Sequence, residues 1–304
     1  MGAEARGPGR HRARRAGVGA APGGKRAVRR LRSLLFVPGD RPERMEKALS
    51  LGADALILDL EDAVAPSRKG EARDAVRAFL DAPRDGGPAL FVRVNPLDGT
   101  LVADDVAALR GAGFDGLVLP KAEGRASVAR LRALLPGGYR ILPVASETPR
   151  AVFTLGDYDG HGLAGLTWGA EDLPAAIGAS SAREADGGYT DPYKVVRALT
   201  LFGAHAAGVP AIETVYPDFR DTDGLAAYAA RGRRDGFTGM MAIHPAQVAI
   251  INAAFTPGEA EVAHARAVVA LFAANPGAGA LQLDGRMVDA PHLKAAERLL
   301  EQVD

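Results

Sequence analysis

Short apolar runs alternate with amphipathic segments along the chain after residue 32. Eight of these runs have the length of buried strands, and each ends at proline, glycine or polar residues. The predicted strands are Ser33–Val37, Ala55–Leu60, Ala89–Val94, Gly116–Leu119, Ile141–Ala145, Leu163–Trp168, Val209–Ile212 and Phe237–Ile243.

Amphipathic segments with helical spacing fill most of the intervals between these strands. The predicted helices are Pro42–Leu51, Ser67–Leu80, Leu101–Arg110, Ser127–Leu135, Thr190–Ala207, Thr222–Arg234 and Gln247–Phe255. We expect Asp40 and Ser67 to cap the first two helices. Eight alternating strands and helices predict a closed parallel (β/α)8 TIM barrel. An open doubly wound sheet is the alternative, although no G-x-G-x-x-G run follows the first strand.

The two ends of the chain differ from this pattern. Residues 1–32 carry ten Lys or Arg and one acid, Glu4, without apolar periodicity. We predict a disordered extension over 1–30, for which a transit peptide or an electrostatic tether are the alternatives. A barrel domain over 31–256 follows. Residues 257–304 form a predicted C-terminal helical extension that contacts a neighbouring subunit.

Composition and charge exclude several functions. Lys+Arg and Asp+Glu both number 37, and this balance gives no support to nucleic-acid binding. No apolar run approaches the roughly 20 residues that a membrane helix needs. The chain has no cysteine, which excludes disulfides, thiolate metal sites and cysteine nucleophiles. We therefore expect a cytoplasmic protein without nucleic-acid or membrane partners.

Charged and amide residues collect at the carboxyl ends of the predicted strands. In a parallel barrel these ends converge on one face, which carries the active site. These residues are Asp59, Glu61, Asp62, Arg93, Asn95, Lys121, Glu147, Glu171, Asp172, Glu213 and His244. Glu147 and Asp172 come from adjacent strand ends and could share a small cation such as Mg²⁺. The alternative is that each of these two acids caps the helix after its strand.

A series of motifs carries a resemblance to a known family. The run RSLLFVPGDRPERMEKALSLGADALILDLEDAV is followed in order by VRVNP, GLVLPKAE, SETPRAV, WGAEDL, AIETVYPDFRDTDGL, IHPAQ and GRMVD. Over residues 32–303 this order resembles the HpcH/HpaI aldolase and citrate lyase beta-subunit family. The resemblance implies a barrel that makes or breaks a carbon–carbon bond in 3-hydroxy acyl thioesters. It also implies Mg²⁺, with Mn²⁺ as a substitute, and a homotrimer or hexamer.

The same resemblance implies roles for five residues. Glu147 and Asp172 match the metal-binding carboxylates. Arg93 matches a group that contacts the keto acid or the thioester enolate, and Glu61 matches an acid that orders Arg93 and the metal's waters. Asp289 matches a general acid/base that the C-terminal segment supplies to a neighbouring subunit.

Simpler roles remain open for two of these residues. Arg93 lies in an apolar run and needs a partner, so a salt bridge to Glu61 or Asp59 would also explain it. Asp289 could be the N-cap of the helix Pro291–Gln302.

A second group of residues is expected to contact the substrate or coenzyme A: Pro38, Gly39, Asp59, Asp62, Lys121, Ala170 and His244. Lys121 also permits a rival Schiff-base mechanism. For His244 a structural hydrogen-bonding role is the alternative, and for Pro38-Gly39 it is a simple turn before a helix.

The sequence departs from the family pattern at two places. Met240-Met241 stand where a Gly-Lys pair often precedes the IHP motif, which puts the grip on coenzyme A at this edge in doubt. Ser146 stands where an aliphatic residue is common, and it could add a hydroxyl behind the metal site.

The leading expectation is a Mg²⁺-dependent lyase that acts on citramalyl-, malyl- or citryl-CoA and yields an acyl-CoA and a 2-keto acid. A citrate lyase beta subunit that acts on an acyl-carrier-protein thioester is the first alternative. A malyl-CoA thioesterase and a non-catalytic homologue are the others.

Overall fold

A computed structural model describes residues 1–2 and 30–303, so most of the predicted disordered extension lies outside the described residues. Eight parallel strands form a barrel, and the predicted TIM-barrel fold is confirmed. The strands are β1 Ser33–Pro38, β2 Ala55–Asp59, β3 Ala89–Arg93, β4 Gly116–Leu119, β5 Arg140–Pro143, β6 Leu166–Thr167, β7 Ala211–Glu213 and β8 Gly239–Ala242.

Helices surround this barrel. They are α1 Pro42–Ala48, α2 Lys69–Asp81, α3 Leu101–Leu109, α4 Gly124–Leu134, α5 Pro149–Val152, α6 Asp172–Ile177, α7 Asp191–Ala206, α8 Thr222–Asp235 and α9 Pro245–Ala254. The short helices α5 and α6 were not predicted, because four and six residues are too few to display a helical period.

The two predicted helix caps were wrong. Arg41 occupies the N-cap position of α1 and makes no side-chain cap bond. Asp40 instead accepts a hydrogen bond of 2.5 Å from Nη1 of Arg68, which ties the β1–α1 loop to the start of α2. Ser67 lies inside a 3₁₀ turn, Pro66–Arg68, that precedes α2.

The barrel is least regular between β5 and β6. The continuous ladder runs β5-β4-β3-β2-β1-β8-β7-β6. The ring is completed by single parallel bridges between Ile141 and Leu163 and between Val144 and Thr167. The Ala145 N–H also donates to the Thr167 carbonyl over 2.8 Å. The two predicted metal-binding acids follow the strands on either side of this seam.

Strand alternation decides which side chains face the barrel interior. Ala55 and Ile57 on β2 and Phe91 on β3 belong to a separate inner apolar cluster. With a period of two residues, Asp59 and Arg93 are the next inward positions on these strands. The register of β2 and β3 places these two residues opposite each other at the carboxyl end of the barrel.

The C-terminal segment is a helix, a hairpin and a second helix. These are α10 Glu259–Ala274, β9 Ala280–Leu283, β10 Arg286–Asp289 and α11 Ala290–Leu300. The segment has a small apolar cluster of its own, which includes Val268, Val288 and Ala296. The hairpin was not predicted, although its turn, Asp284-Gly285, is a common hairpin signal.

In the described part of the chain, no helix combines the length and the apolar character needed to cross a membrane.

Candidate active site

An arginine–aspartate pair lies at the carboxyl end of the barrel, where β2 and β3 finish. Nε and Nη2 of Arg93 donate to the two carboxylate oxygens of Asp59 over 2.7 and 2.6 Å. Asp59 also accepts hydrogen bonds from the main-chain N–H groups of Glu61 and Ala63 at 2.9 and 3.1 Å. Asp59 therefore holds Arg93 and the turn after β2, and both of its oxygens are filled by donors of this chain.

Glu61 extends this pair toward the barrel opening. Its Oε2 lies 2.9 Å from Nη1 of Arg93, and its Oε1 lies 3.2 Å from Nζ of Lys121. Burial raises the pKa of Glu61 to about 7, and Arg93 opposes that shift. Asp62 is more exposed and lies 3.9 Å from Arg93. The salt bridges that the sequence left open for Arg93 are thus present.

A buried lysine that sequence reasoning missed supports the Glu61 loop. Nζ of Lys69 donates to the carbonyl oxygens of Leu60 and Glu61 and to Oδ1 of Asn95. Asp105 in turn accepts from the main-chain and side-chain amides of Asn95, each over 2.7 Å. Lys69 begins the buried side of α2, and a lysine in that apolar stripe was the available signal.

Lys121 lies directly after β4, among three acids. It is a non-glycine residue at a left-handed φ of 50°. Its main-chain N–H donates to Oε2 of Glu147 over 2.6 Å. Its Nζ lies 3.2 Å from Oε1 of Glu61 and 3.2 Å from Oδ1 of Asp172. Although burial lowers the pKa of Lys121, the surrounding acids outweigh that effect and raise it, so the ammonium is charged.

Glu147 does not cap the helix that follows it. The N-cap of α5 is Thr148, whose side chain accepts from the Ala151 N–H over 3.1 Å. Glu147 is 4% exposed. Burial raises its pKa to about 8, and the nearby Asp172 adds to the shift. Helix capping therefore does not explain the buried carboxyl of Glu147, which instead accepts the main-chain N–H of Lys121.

Asp172 enters the site from the other side of the β5–β6 seam. It is the first residue of α6, and the exposed Glu171 occupies the N-cap position without a side-chain bond. Ser146 joins the two sides, because its Oγ accepts from the Gly169 N–H over 3.2 Å. A Cβ at Gly169 would lie only 2.4 Å from Cγ of Glu147, so the Glu147 side chain depends on the glycine there.

These acids fit a magnesium ion. Mg²⁺ takes oxygen ligands and is commonly held by one or two carboxylates, with waters and substrate completing an octahedron. Glu147 and Asp172 supply two carboxylates from neighbouring strand ends, whereas Oε2 of the nearby Glu61 is already paired with Arg93 at 2.9 Å. Across residues 1–2 and 30–303, no group of three or more histidine, cysteine, aspartate or glutamate side chains is arranged to hold a metal ion. An ion held by Glu147 and Asp172 would therefore take its remaining ligands from water and substrate.

Gly39 packs against the neighbouring strand. Its N–H donates to the Asp59 carbonyl over 2.8 Å, and a Cβ there would lie 2.6 Å from the same oxygen. Pro38, which precedes it, is partly buried. Gly39 is therefore required by the close approach of β1 to the end of β2.

The other predicted contact residues line the rim or the strands. Ala170 is buried between Gly169 and α6. His244 is the N-cap of α9, where its Nδ1 accepts from the Ala246 N–H over 3.2 Å, and its ring stacks on Phe219. Met240 and Met241 are buried inside β8.

Glu213 was expected on the active-site face, but it lies in the layer between strands and helices. It is fully buried. It accepts hydrogen bonds from Nε1 of Trp168 over 2.6 Å, from Nε of Arg197 over 2.7 Å and from the Tyr228 hydroxyl over 3.0 Å. Strand alternation turns the Glu213 side chain away from the barrel interior. There its carboxylate holds a structural hydrogen-bond network together.

Asp289 occupies the N-cap position of α11, in the C-terminal segment. Its Oδ1 lies 2.5 Å from Nδ1 of His292, and this hydrogen bond lowers the pKa of Asp289. Its strand partner is Ala280. These contacts all lie within the C-terminal segment.

A sequence profile of the HpcH/HpaI aldolase/citrate lyase family matches residues 32–245, which is more than half of the chain. The chain belongs to this family.

Two curated relatives and one solved structure are similar to this HpcH/HpaI family chain. A citrate lyase subunit beta-like protein from Mycobacterium tuberculosis is 38% identical over 88% of this chain and 94% of its own length. A (3S)-malyl-CoA thioesterase from Cereibacter sphaeroides is 34% identical over 90% of this chain and 94% of its own. The structure of CitE from M. tuberculosis with magnesium, acetoacetate and coenzyme A has a TM-score of 0.77 and 36% identity, covering 91% of this chain and 99% of that one.

Proposed function

We propose that this protein is a Mg²⁺-dependent lyase of 3-hydroxy acyl-CoA esters, with citramalyl-, malyl- or citryl-CoA as substrate and an acyl-CoA and a 2-keto acid as products. The observation that carries the proposal is the group of acids around Lys121. Glu61 and Asp172 contact the ammonium of Lys121, and Glu147 accepts a hydrogen bond from the main-chain N–H of the same residue. Three strand ends therefore bring a carboxylate to Lys121. The related CitE binds magnesium, acetoacetate and coenzyme A together, which supports the same use of this group.

Glu147 and Asp172 are the proposed holders of Mg²⁺, with Mn²⁺ as a substitute. When bound, the ion supplies a Lewis acid at the carbonyl oxygen of the keto acid. Arg93 lies inward of these acids and has a 12% exposed side chain. Its guanidinium, kept in place by Asp59, orients the oxygens of the keto acid or of the thioester enolate.

The reaction needs a group that moves a proton at the acyl carbon. In cleavage, the bond between C2 and C3 breaks, the 3-hydroxyl loses its proton to give the keto acid, and C2 of the thioester gains a proton. We assign that proton at C2 to Asp289 from a second copy of the chain. The contacts of Asp289 described above, with His292 and Ala280, lie within the C-terminal segment of the same copy. This assignment requires a homo-oligomer, and we propose a trimer or hexamer.

A product assay tests the lyase proposal. Purified protein is incubated with malyl-, citramalyl- and citryl-CoA in Mg²⁺ and in excess EDTA, and products are identified by mass spectrometry. We expect Mg²⁺-dependent release of a keto acid and an acyl-CoA. The loss of cleavage in Asp172→Asn, with retention in Glu171→Gln, would tie the activity to the metal-facing acid, because Glu171 is exposed beside it.

A thioesterase is the second candidate, and the similarity to the (3S)-malyl-CoA thioesterase favours it. In that reaction water attacks the thioester carbonyl and free coenzyme A leaves. The same assay separates the two, because a thioesterase yields a hydroxy acid and free CoA. Absence of cleavage of every free CoA ester by folded, Mg²⁺-loaded protein would refute the lyase proposal and point to an acyl-carrier-protein thioester as substrate.

A further inference from the structure

The ammonium of Lys121 contacts one of the acids that the proposed function assigns to magnesium. It lies 3.2 Å from Oδ1 of Asp172 and 3.2 Å from Oε1 of Glu61. A divalent cation and this ammonium therefore depend on the same carboxylate of Asp172. Two positive charges cannot both lie against one carboxylate oxygen without strong repulsion.

We propose that Lys121 is a built-in competing cation that lowers the affinity of this site for Mg²⁺. Binding of Mg²⁺ to Asp172 must displace the ammonium or hold two positive charges on one carboxylate, and either outcome weakens the binding of Mg²⁺. The inference rests on the metal site of the proposed function and goes beyond it, because it assigns a control of metal affinity to a residue outside the metal-binding pair.

The backbone of Lys121 keeps the side chain within reach of the site. The residue adopts a left-handed φ of 50°, a conformation that side-chain-bearing residues rarely adopt. The short hydrogen bond from its N–H to Glu147 fixes that conformation. The main chain of Lys121 is therefore bonded to Glu147, the first proposed metal-binding acid, while its ammonium contacts Asp172, the second. A surface lysine with free rotamers would compete far less well.

The surrounding charges favour this position of the ammonium. The acids that face Lys121 from three strand ends are Glu61, Glu147 and Asp172. Arg93 contacts only one of the two carboxylate oxygens of Glu61, Oε2. The side chain of Lys121 is 33% exposed, so it has an aqueous route out when a divalent ion binds. Three acids with one internal ammonium form a group in which either cation can satisfy Asp172.

Metal titration of the full-length protein tests the proposal. Mg²⁺ and Mn²⁺ are titrated by calorimetry into EDTA-treated, dialysed wild type, Lys121→Met and Lys121→Arg. Methionine keeps the main-chain N–H to Glu147 but removes the charge. We expect Lys121→Met to lower the Kd for Mg²⁺ about tenfold, the combined effect of two partly exposed ion pairs, while Lys121→Arg stays within about threefold of wild type. Lys194→Met, which removes an exposed lysine paired with Asp191, is the matched control.

A second readout is the thermal midpoint. In EDTA, Lys121→Met removes the ammonium from Asp172 and leaves Glu61 with Arg93 alone, so the thermal midpoint of the variant falls below that of wild type. In saturating Mg²⁺ the difference narrows, because the metal replaces the lost charge. If Lys121→Met does not fold, Lys121→Gln takes its place in both measurements.

Three results would overturn the inference. An unchanged or weaker Kd in folded Lys121→Met, with tight binding by wild type, refutes the competition alone and leaves the proposed function intact. An equal gain in affinity for Lys194→Met shows a general charge effect. No Mg²⁺ binding by wild type removes the metal site and with it the proposed function.

Discussion

Replacing Gly169 by alanine places one methyl group against the proposed metal-binding side chain. Gly169 has no positive φ, so alanine is compatible with the backbone. The added Cβ would lie 2.4 Å from Cγ, 3.0 Å from Oε1 and 3.1 Å from Cδ of Glu147. Ordinary contact begins at 3.4 Å, so Cγ of Glu147 must move by about 1 Å.

A shift of this size is large for magnesium coordination. Mg²⁺ demands oxygen ligands at about 2.0–2.1 Å in near-octahedral geometry. A misplacement of about 1 Å at a reacting group costs on the order of 100-fold. We therefore expect Gly169→Ala to weaken Mg²⁺ binding and to lower kcat/KM by about 100-fold.

Calorimetric titration with Mg²⁺ and the product assay measure this effect. Gly156→Ala is the matched control, because a Cβ there meets nothing within 4 Å. The midpoint of thermal unfolding shows whether Gly169→Ala is folded. If a folded Gly169→Ala bound Mg²⁺ as tightly as wild type, the position of Glu147 against Gly169 could not be the one that coordinates the metal.

Three further predictions concern the charges of the site. Asp59→Asn removes the bidentate carboxylate from Arg93, while Glu61 still lies 2.9 Å from the guanidinium, so we expect the free energy of unfolding in urea to fall by about 1.5–3 kcal/mol. In EDTA, the pKa of Glu147 at about 8 lies above the ordinary 4.5. The contribution of Glu147 to stability is therefore full below about pH 4.5 and is lost as pH rises through about 8, and Glu147→Gln removes that part of the profile in thermal unfolding. Mixing inactive Asp289→Asn with inactive Glu147→Gln subunits should restore part of the lyase activity.

The Asp59 prediction has a matched control, and the other two predictions each have a result that would contradict them. Asp98→Asn removes an exposed acid paired with Arg130 and should change unfolding by less than about 1 kcal/mol. A stability of the metal-free protein that rises between pH 5 and 8 would argue against a protonated Glu147. No recovery of activity in proven mixed oligomers would count against a site shared between copies.

Much of the barrel could be predicted from the sequence, because its strands are short apolar runs and its long helices show helical spacing of apolar residues. β4 was predicted at its observed bounds, Gly116–Leu119, since turn residues flank a short apolar run. The hairpin of Arg286–Asp289 with its partner strand was missed, because half of its residues are exposed and its apolar pattern is weak.

The sequence by itself determined that acids and bases end the strands of a parallel barrel, since strand order and polarity follow from local periodicity. It left two roles open for Arg93. The tertiary structure showed the salt bridge, because the inward register of β2 and β3 sets Arg93 against Asp59, and the substrate contact stays a proposal. In the same way it separated Glu213 from the site, since its side chain lies between strands and helices. Which strand-end residues meet depends on register and on the side of the strand they face, and both are fixed only when the barrel closes.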